Sequence, residues 1–198
     1  MTDTFLGTLF IVSAPSGAGK TTVTEAALKV LQVEHKIEKI ITYTTRSVRP
    51  GEVEGHDYHF VAVQDFAAKM ESGFFFETST WYEAYYGLPN SFIEKLRAGI
   101  SCVLILDRFG ARSIKAQFPD AVLIWLEPAS LEVLKSRLIA RGGMAEEQVN
   151  KRLEKAAVEM SEEMKENFYN FHIINNNFVT TVNLVVKTMA GAIAKKQA

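Results

Sequence analysis

Short apolar segments with β-branched residues alternate along the chain with longer amphipathic ones. Thr8–Ser13 is apolar and leads into a run of small residues, and from Thr21 to about Leu31 apolar positions recur at helical spacing. A buried strand, a glycine-rich turn and a helix in this order open an α/β unit. Four further segments predict strands: Glu38–Thr45, Ile100–Leu106, Ala121–Leu126 and Phe171–Ile174.

Helical patterns separate most of these strands, which favours a parallel sheet covered by helices, because parallel strands need crossover connections. Two stretches do not fit this alternation. Residues 42–92 mix short strands, aromatic turns and a predicted helix at Val63–Glu71, and residues 128–166 are charged and helical, with Ser130 as a predicted N-cap. We expect each stretch to be an appendage on the core, and the acidic residues of Glu146–Glu166 to form a solvated face.

The composition is that of a folded protein with nearly balanced charge. Of 198 residues, 47% are hydrophobic, and 22 Lys and Arg stand against 23 Asp and Glu. We therefore expect no nucleic-acid partner and no membrane attachment, because no global field attracts the chain to polyanions. The single cysteine, Cys102, excludes an internal disulfide and favours a reducing compartment, so we expect a cytoplasmic protein. A homo-oligomer remains possible on the sequence alone.

The strongest chemical signal is the segment Ala14–Thr22, APSGAGKTT, between the first strand and the first helix. It follows the G-x4-G-K-[ST] phosphate-loop pattern, except that Ala14 replaces the first glycine. Glycines let the backbone N–H groups point inward, the lysine reaches the terminal phosphates, and the hydroxyl of Thr21 can ligate Mg²⁺. The predicted triphosphate-binding residues are Ser16, Gly17, Ala18, Gly19, Lys20, Thr21 and Thr22.

Two arginines lie three positions apart in the loop that follows the second predicted strand. The guanidinium groups of Arg46 and Arg49 are suited to bidentate phosphate binding. A solvated basic turn is equally compatible with the residue types alone. The pair therefore makes this loop a candidate for a second phosphate-binding site, beside the phosphate loop.

Taken together, these motifs resemble those of the guanylate kinases. The resemblance runs in order from residue 8 to residue 177. The phosphate loop and the T-T-R-x-x-R-P-G-E segment carry most of its specificity. The matching segments are Ser13–Thr21, Thr44–Glu52, Tyr85–Gly87, Arg137–Gly142, Lys151–Leu153 and Ile173–Asn175.

The resemblance implies an α/β fold of the P-loop NTPase type, a parallel sheet flanked by helices with a GMP-binding insertion and a helical lid. Residues 1–41, 93–128 and 167–198 would form the core, residues 42–92 the GMP-binding subdomain and residues 129–166 the lid. The implied activity transfers the γ-phosphoryl group of ATP to GMP or dGMP, with Mg²⁺ as the cofactor.

The resemblance also assigns residues. The acceptor phosphate would be held by Arg46, Arg49, Tyr58 and Tyr86, and guanine would be read by Thr42, Glu77 and Asp107. The residues that act on the transferring group would be Lys20, Arg46, Arg137, Arg141 and Arg152. Asn175 would lie near adenine. A carboxylate accepts the N1–H and N2–H groups of guanine and repels the N1 lone pair of adenine, which explains the expected selectivity. As structural alternatives, Asp107 caps a turn, Glu77 is a surface acid, and the lid arginines pair with Glu132 or Glu146.

Several positions depart from the family pattern. Leu88 replaces a hydroxyl that would face the base, Ile105 replaces an acid of the magnesium environment, and Phe109, Glu83 and Ala84 replace polar or small residues. These changes keep two alternatives open. One is a kinase of the same fold acting on another phosphorylated acceptor, such as a ribose phosphate. The other is a non-catalytic binding module, which the intact phosphate loop and arginines disfavour.

Overall fold

The computed structural model describes residues 5–15, 17–81, 83–140, 142 and 145–197. Helices and strands alternate through most of these ranges. In chain order the elements are β1 Leu9–Ser13, α1 Lys20–Leu31, β2 Ile37–Lys39, β3 Tyr43–Thr44, β4 His59–Phe60, α2 Val63–Glu71, β5 Phe75–Trp81, β6 Ala84–Pro89, α3 Ser91–Arg97, β7 Ser101–Ile105, α4 Arg108–Gln117, β8 Val122–Pro128, α5 Leu131–Ala140, α6 Glu146–Glu166, β9 Phe171–Asn175 and α7 Phe178–Gln197.

The main sheet is parallel, with strand order β2-β7-β1-β8-β9, as the sequence predicts. Strand β1 lies at its centre, and all of its residues are buried. Val12 is level with Ile105 of β7 and with Ile124 of β8. The loops that follow β1 and β7 therefore emerge side by side at the carboxyl edge of the sheet, where ligands bind in open α/β folds.

A hydrophobic cluster covers each face of this sheet. Phe10 and Val12 of β1 point toward a cluster built from α1, α5, α6 and α7. Leu9 and Ile11 point toward a second cluster, which α3 and α4 cover. Successive side chains of a strand face opposite sides, so burial of the whole of β1 requires helices on both faces.

The smaller sheet lies within residues 42–92 and has strand order β4-β3-β6-β5. The single strand predicted over Glu38–Thr45 is wrong: β2 belongs to the main sheet and β3 to the smaller one. The last bond to the main sheet is donated by the N–H of Ile40 to the carbonyl of Val103 (3.0 Å). No glycine or proline lies between Ile37 and Thr44 to mark a break, so the sequence does not show that the partner strands change.

The segment predicted as a lid consists of α5 and α6. The hydroxyl of Ser130 accepts the N–H of Val133 at 3.2 Å, which confirms the predicted cap of α5. Leu134 and Leu138 are buried in the first cluster beside the phosphate loop. The prediction of a solvated acidic face on α6 is wrong at Glu163, which is only 1% exposed. In the part of the chain that the structure describes, no helix is long and apolar enough to cross a membrane.

Candidate active site

The phosphate loop joins β1 to α1 and has the geometry that its glycines predict. Gly17 and Gly19 have φ angles of +89° and +88°, in the left-handed region. The amide Nδ2 of Asn175, on β9, donates to the carbonyl of Ala18 at 2.7 Å. A Cβ on Gly19 would lie 2.8 Å from that nitrogen. The loop and the end of β9 therefore pack too closely for a side chain at Gly19. Ser16, also predicted here, lies outside the described residues.

Lys20 is the first residue of α1 and connects the phosphate loop to the end of β7. Its ammonium Nζ lies 3.4 Å from the carbonyl of Ala14 and 3.3 Å from that of Leu106. Burial lowers the pKa of Lys20, while the negative charges of Asp107 and Glu159 act in the opposite direction. Two carboxylates from different elements thus face the lysine predicted to reach the terminal phosphates.

The same corner offers oxygen atoms to a divalent cation. Thr21, in the first turn of α1, is partly buried, and Thr22 is exposed. The carboxylates of Asp107 and Glu159 act electrostatically on the neighbouring Lys20. A hydroxyl and two carboxylates are the hard oxygen ligands that Mg²⁺ prefers, directly or through water, so these residues fit the cofactor expected here.

Two of the arginines predicted on the lid have neighbours in the predicted phosphate sites. Nη1 of Arg137 donates to the carbonyl of Ala18 at 3.3 Å, and its Nη2 donates to that of Asn175 at 3.0 Å. Arg137 therefore contacts the phosphate loop. Arg152, on α6, is partly buried, and its charge lowers the pKa of Arg49. Arg141 lies outside the described residues.

Glu52 organises the predicted acceptor loop. One of its oxygens accepts a hydrogen bond from Nη2 of Arg46 (2.9 Å), and the other accepts one from the backbone N–H of Arg49 (2.8 Å). The Cζ atom of Arg46 also lies 5.5 Å from the ring centre of Tyr58. The side chain of Arg46 is 15% exposed, and its pairing with Glu52 holds the guanidinium in place before any ligand binds.

Positive charges and phenol groups converge at this loop. The pKa of Arg49 is lowered by burial first and then by the charges of Arg46 and Arg152. The ring centres of Tyr58 and Tyr86 lie 6.0 Å apart, and burial raises the pKa of Tyr58. Three guanidinium groups that repel one another create a site that an anion stabilises, and the tyrosine hydroxyls supply further donors.

The predicted guanine-reading acids lie close enough to interact. Among the residues described, none offers a hydrogen bond to Oε2 of Glu77, although this atom is buried. Burial raises the pKa of Glu77, the negative charge of Asp107 adds to that effect, and a hydrogen bond with Ser113 opposes it. A buried, unsatisfied carboxylate oxygen is costly, and a ligand with N–H donors would satisfy it.

Asp107 has the capping role named above as its structural alternative. Its Oδ1 accepts the N–H of Gly110 at 2.9 Å, at the N-terminus of α4, and the side chain is exposed. A carboxylate has a second oxygen, so the cap does not exclude contact with a base. Thr42 is partly buried, and its carbonyl accepts the N–H of His59 at 2.9 Å, which links β4 to β3.

Leu88 and Glu77 are paired across β5 and β6, so their side chains share one face of the smaller sheet. Leu88 is buried in the second hydrophobic cluster and supplies an apolar wall beside the carboxylate. Of the other departures, Ile105 ends β7, Phe109 is exposed, Ala84 is buried, and Glu83 has a left-handed φ of 60° in the β5–β6 turn.

Three residues join the site without a specific sequence signal. Glu52 belongs to the motif Thr44–Glu52, but its type does not show that it bridges two arginine positions. Ser113 lies within α4, and Glu159 is one of several acids on α6. Nothing in local spacing places them near Glu77 or Lys20, because those contacts arise from the packing of separate elements.

Comparison with known proteins agrees with this geometry. The sequence model of the family described as "Guanylate kinase" matches residues 7–192. The chain belongs to the guanylate kinase family. It is 41% identical over 177 residues to the guanylate kinase of Shewanella sp. (strain MR-7), covering 89% of this chain and 83% of that protein. It is 42% identical over 171 residues to that of Nitrosospira multiformis, covering 86% and 79%.

A solved structure of the guanylate kinase family has the same fold. The crystal structure of guanylate kinase from Anaplasma phagocytophilum matches with a TM-score of 0.74 and 26% sequence identity. The match covers 94% of this chain and 86% of that one. The α/β fold with a helix-flanked parallel sheet, predicted from the sequence, is therefore confirmed for this guanylate kinase family member.

Proposed function

We propose that this guanylate kinase family member is an ATP-dependent nucleoside monophosphate kinase that converts GMP, and dGMP, to the diphosphate, with ADP as the second product. The observation that carries the choice of acceptor is the buried, unsatisfied Oε2 of Glu77 beside the charge of Asp107. The Watson–Crick edge of guanine presents two N–H donors to a carboxylate, whereas adenine presents an acceptor there.

ATP is held by the phosphate loop. The N–H groups around Gly17, Ala18 and Gly19, together with the N-terminus of α1, bind its phosphates, and Lys20 approaches the terminal ones. Asn175, which contacts the loop at Ala18, would lie near the adenine. Thr21, with Glu159, would hold Mg²⁺ directly or through water. When bound, the cation neutralises charge on the triphosphate.

The acceptor binds in residues 42–92. Its phosphate lies between the guanidinium groups of Arg46 and Arg49 and accepts hydrogen bonds from the hydroxyls of Tyr58 and Tyr86. Its base is read by Glu77 and Asp107, with Thr42 at the edge of the same site. The pairing of Arg46 with Glu52 supports this role, because it orients the guanidinium in advance.

The reaction needs an electrostatic environment more than proton transfer. The attacking oxygen belongs to a phosphate that is already ionised near neutral pH, so no general base is required. Lys20, Arg46, Arg137, Arg141 and Arg152 oppose the charge that spreads over the transferring group. We propose that residues 129–166 close over the two substrates as a lid, which also keeps water from accepting the phosphoryl group.

The apolar wall formed by Leu88 beside Glu77 favours one second candidate, a kinase of another phosphorylated acceptor such as a ribose phosphate. An ATP- and Mg²⁺-dependent assay against GMP, dGMP, AMP, UMP and ribose phosphates separates the two. Turnover restricted to GMP and dGMP is the expected result, whereas preferential turnover of a sugar phosphate would replace it. The substrates and the buried free thiol of Cys102 support a cytoplasmic location.

A further inference from the structure

Arg108 is a buried arginine that none of the roles above uses. It is the first residue of α4, directly after Asp107, and is only 6% exposed. Its guanidinium contacts the C-terminal part of α6. Nη1 donates to Oε2 of Glu163 at 2.6 Å, Nη2 donates to Oε2 of Glu166 at 2.8 Å, and Nη1 also lies 3.4 Å from the carbonyl of Glu159.

The partner carboxylate is equally buried and fully engaged. Oε1 of Glu163 accepts the N–H of Tyr169 at 3.1 Å and lies 3.2 Å from Nε2 of His172. The Cζ atom of Arg108 lies 5.9 Å from the ring centre of Trp125 on β8. A buried ion pair adds little net stability compared with apolar residues of the same volume, but its hydrogen bonds fix direction. Arg108 therefore fixes where α6 lies and how it is rotated.

The rotation of α6 matters for the phosphate sites. Arg152, Ala156, Glu159 and Glu163 follow one another at spacings of four, three and four residues, so they share one face of the helix. On this face, Ala156 is buried in the first cluster, Glu159 acts on Lys20, and Arg152 acts on Arg49. Glu163 contributes the carboxylate that pairs with Arg108, directly after the loop that follows β7.

We propose that Arg108 is a positioning residue for phosphoryl transfer, through which the loop carrying Asp107 sets the rotation of α6 and thereby aims Arg152 and Glu159 at the two phosphate sites. The inference rests on the proposed kinase function. Because α6 is one continuous helix from Glu146 to Glu166, a small rotation at the anchor moves Arg152 and Glu159 with it. A shift of about 1 Å at a reacting group is enough to lower the rate up to a hundredfold.

The test compares four variants in the ATP and GMP assay, with thermal unfolding measured on each. Arg108→Met leaves Glu163 buried without its arginine partner. Arg108→Lys keeps the positive charge but loses the two-pronged guanidinium. Arg108→Met with Glu163→Met replaces the pair by apolar side chains of similar size. Arg112→Met is the matched control, because Arg112 also pairs with Glu166 but is exposed.

Arg108→Met should lower kcat by about tenfold or more and leave the KM for GMP within about twofold, because Arg46 and Glu77 bind GMP from other elements. Arg108→Lys should show a smaller loss of kcat with nearly unchanged Tm. The double variant should regain only part of the Tm lost in Arg108→Met, since the N–H of Tyr169 loses its acceptor. It should not regain kcat, since an apolar contact does not fix rotation. Arg112→Met should have wild-type kinetics.

A double variant with wild-type kcat would overturn the proposal, because Arg108 would then act only on stability. If either methionine variant fails to fold, Arg108→Lys decides, and an undiminished kcat in that folded variant would overturn the proposal too. Failure of the underlying kinase function is a different result, since the wild-type protein itself would then not convert GMP. The kcat values of the variants are compared once the wild-type protein is shown to convert GMP.

Discussion

At the scale of one residue, Glu77 shows how a buried carboxylate lowers the stability of the fold. Burial raises the pKa of this carboxyl in the folded protein, so the folded state holds a proton there more tightly than the unfolded chain does. Stability from this group is therefore present at low pH and is lost as the pH rises through the folded-state pKa. The ionised carboxylate is desolvated, and a ligand with N–H donors would relieve part of that cost.

Glu77→Gln removes that charge with little change in shape. We expect the variant to unfold at a higher temperature than wild type at neutral pH, with the difference vanishing in acid. We expect its KM for GMP to rise about tenfold or more, because a hydrogen bond to a charged group contributes about 1.5–3 kcal/mol. Thermal unfolding across pH, and steady-state kinetics with GMP and AMP, check the two effects. An unchanged KM would show that guanine binds elsewhere.

Cys102 gives a second prediction at this scale. The residue is 0% exposed on β7, and burial raises the pKa of its thiol to about 12. The thiolate is the reactive form, so the native protein should resist alkylation by iodoacetamide at pH 8. The unfolded chain should react readily, which mass spectrometry of both samples would show. Rapid modification of the native protein would mean that β7 is accessible.

The elements around the phosphate loop could be predicted in part from the sequence. The strand, the glycines and the helix are local, and so is the cap of α5 at Ser130. The division of Glu38–Thr45 after Ile40 between two sheets could not be predicted, because side-chain periodicity indicates burial and does not identify the partner strand. The pairing of Glu163 with Arg108 was missed for the same reason, since the residues are 55 positions apart.

Gly19→Ala tests the close packing of the phosphate loop against β9. The new methyl group would lie 2.8 Å from Nδ2 of Asn175 and displace it from Ala18. We expect the KM for ATP to rise about tenfold or more, which corresponds to loss of about 1.4 kcal/mol or more of binding free energy.

Gly73→Ala is the matched control for this substitution. Gly73 also has a positive φ, +69°, and a Cβ there would meet nothing within 4 Å among the described residues. It carries the same kind of backbone cost, about 1–2 kcal/mol of stability, without the clash. Equal effects of both alanines on the KM for ATP would contradict the close-packing account.

At the scale of the whole molecule, the proposed site draws on separate parts of the chain. The core supplies Lys20 and Asp107, residues 42–92 supply Arg46 and Glu77, and α6 supplies Arg152. The resemblance to the guanylate kinases predicts these residues in one site. Residue types alone left Arg46 and Arg49 equally compatible with a solvated turn, because only the fold places Tyr58, Glu52 and Arg152 around them.

Arg46→Lys tests whether the fork of the guanidinium is needed at the acceptor phosphate. Lysine keeps the charge but cannot bind Glu52 and a phosphate with two parallel bonds. We expect the KM for GMP to rise about tenfold and the KM for ATP to change less than twofold. Arg112→Lys, the same change at an exposed position of α4, should leave both constants unaltered. A rise in the KM for ATP alone would show that Arg46 contacts ATP and not the phosphate of GMP.

The most direct measurement is a crystal structure of the protein with GMP and a non-hydrolysable ATP analogue. The account predicts that the guanidinium groups of Arg46 and Arg49 bind the phosphate of GMP, and that Oε2 of Glu77 accepts an N–H of guanine. It also predicts the analogue's phosphates on the loop that ends at Lys20. Arginines turned away from the ligand, or a base bound away from Glu77, would contradict the account.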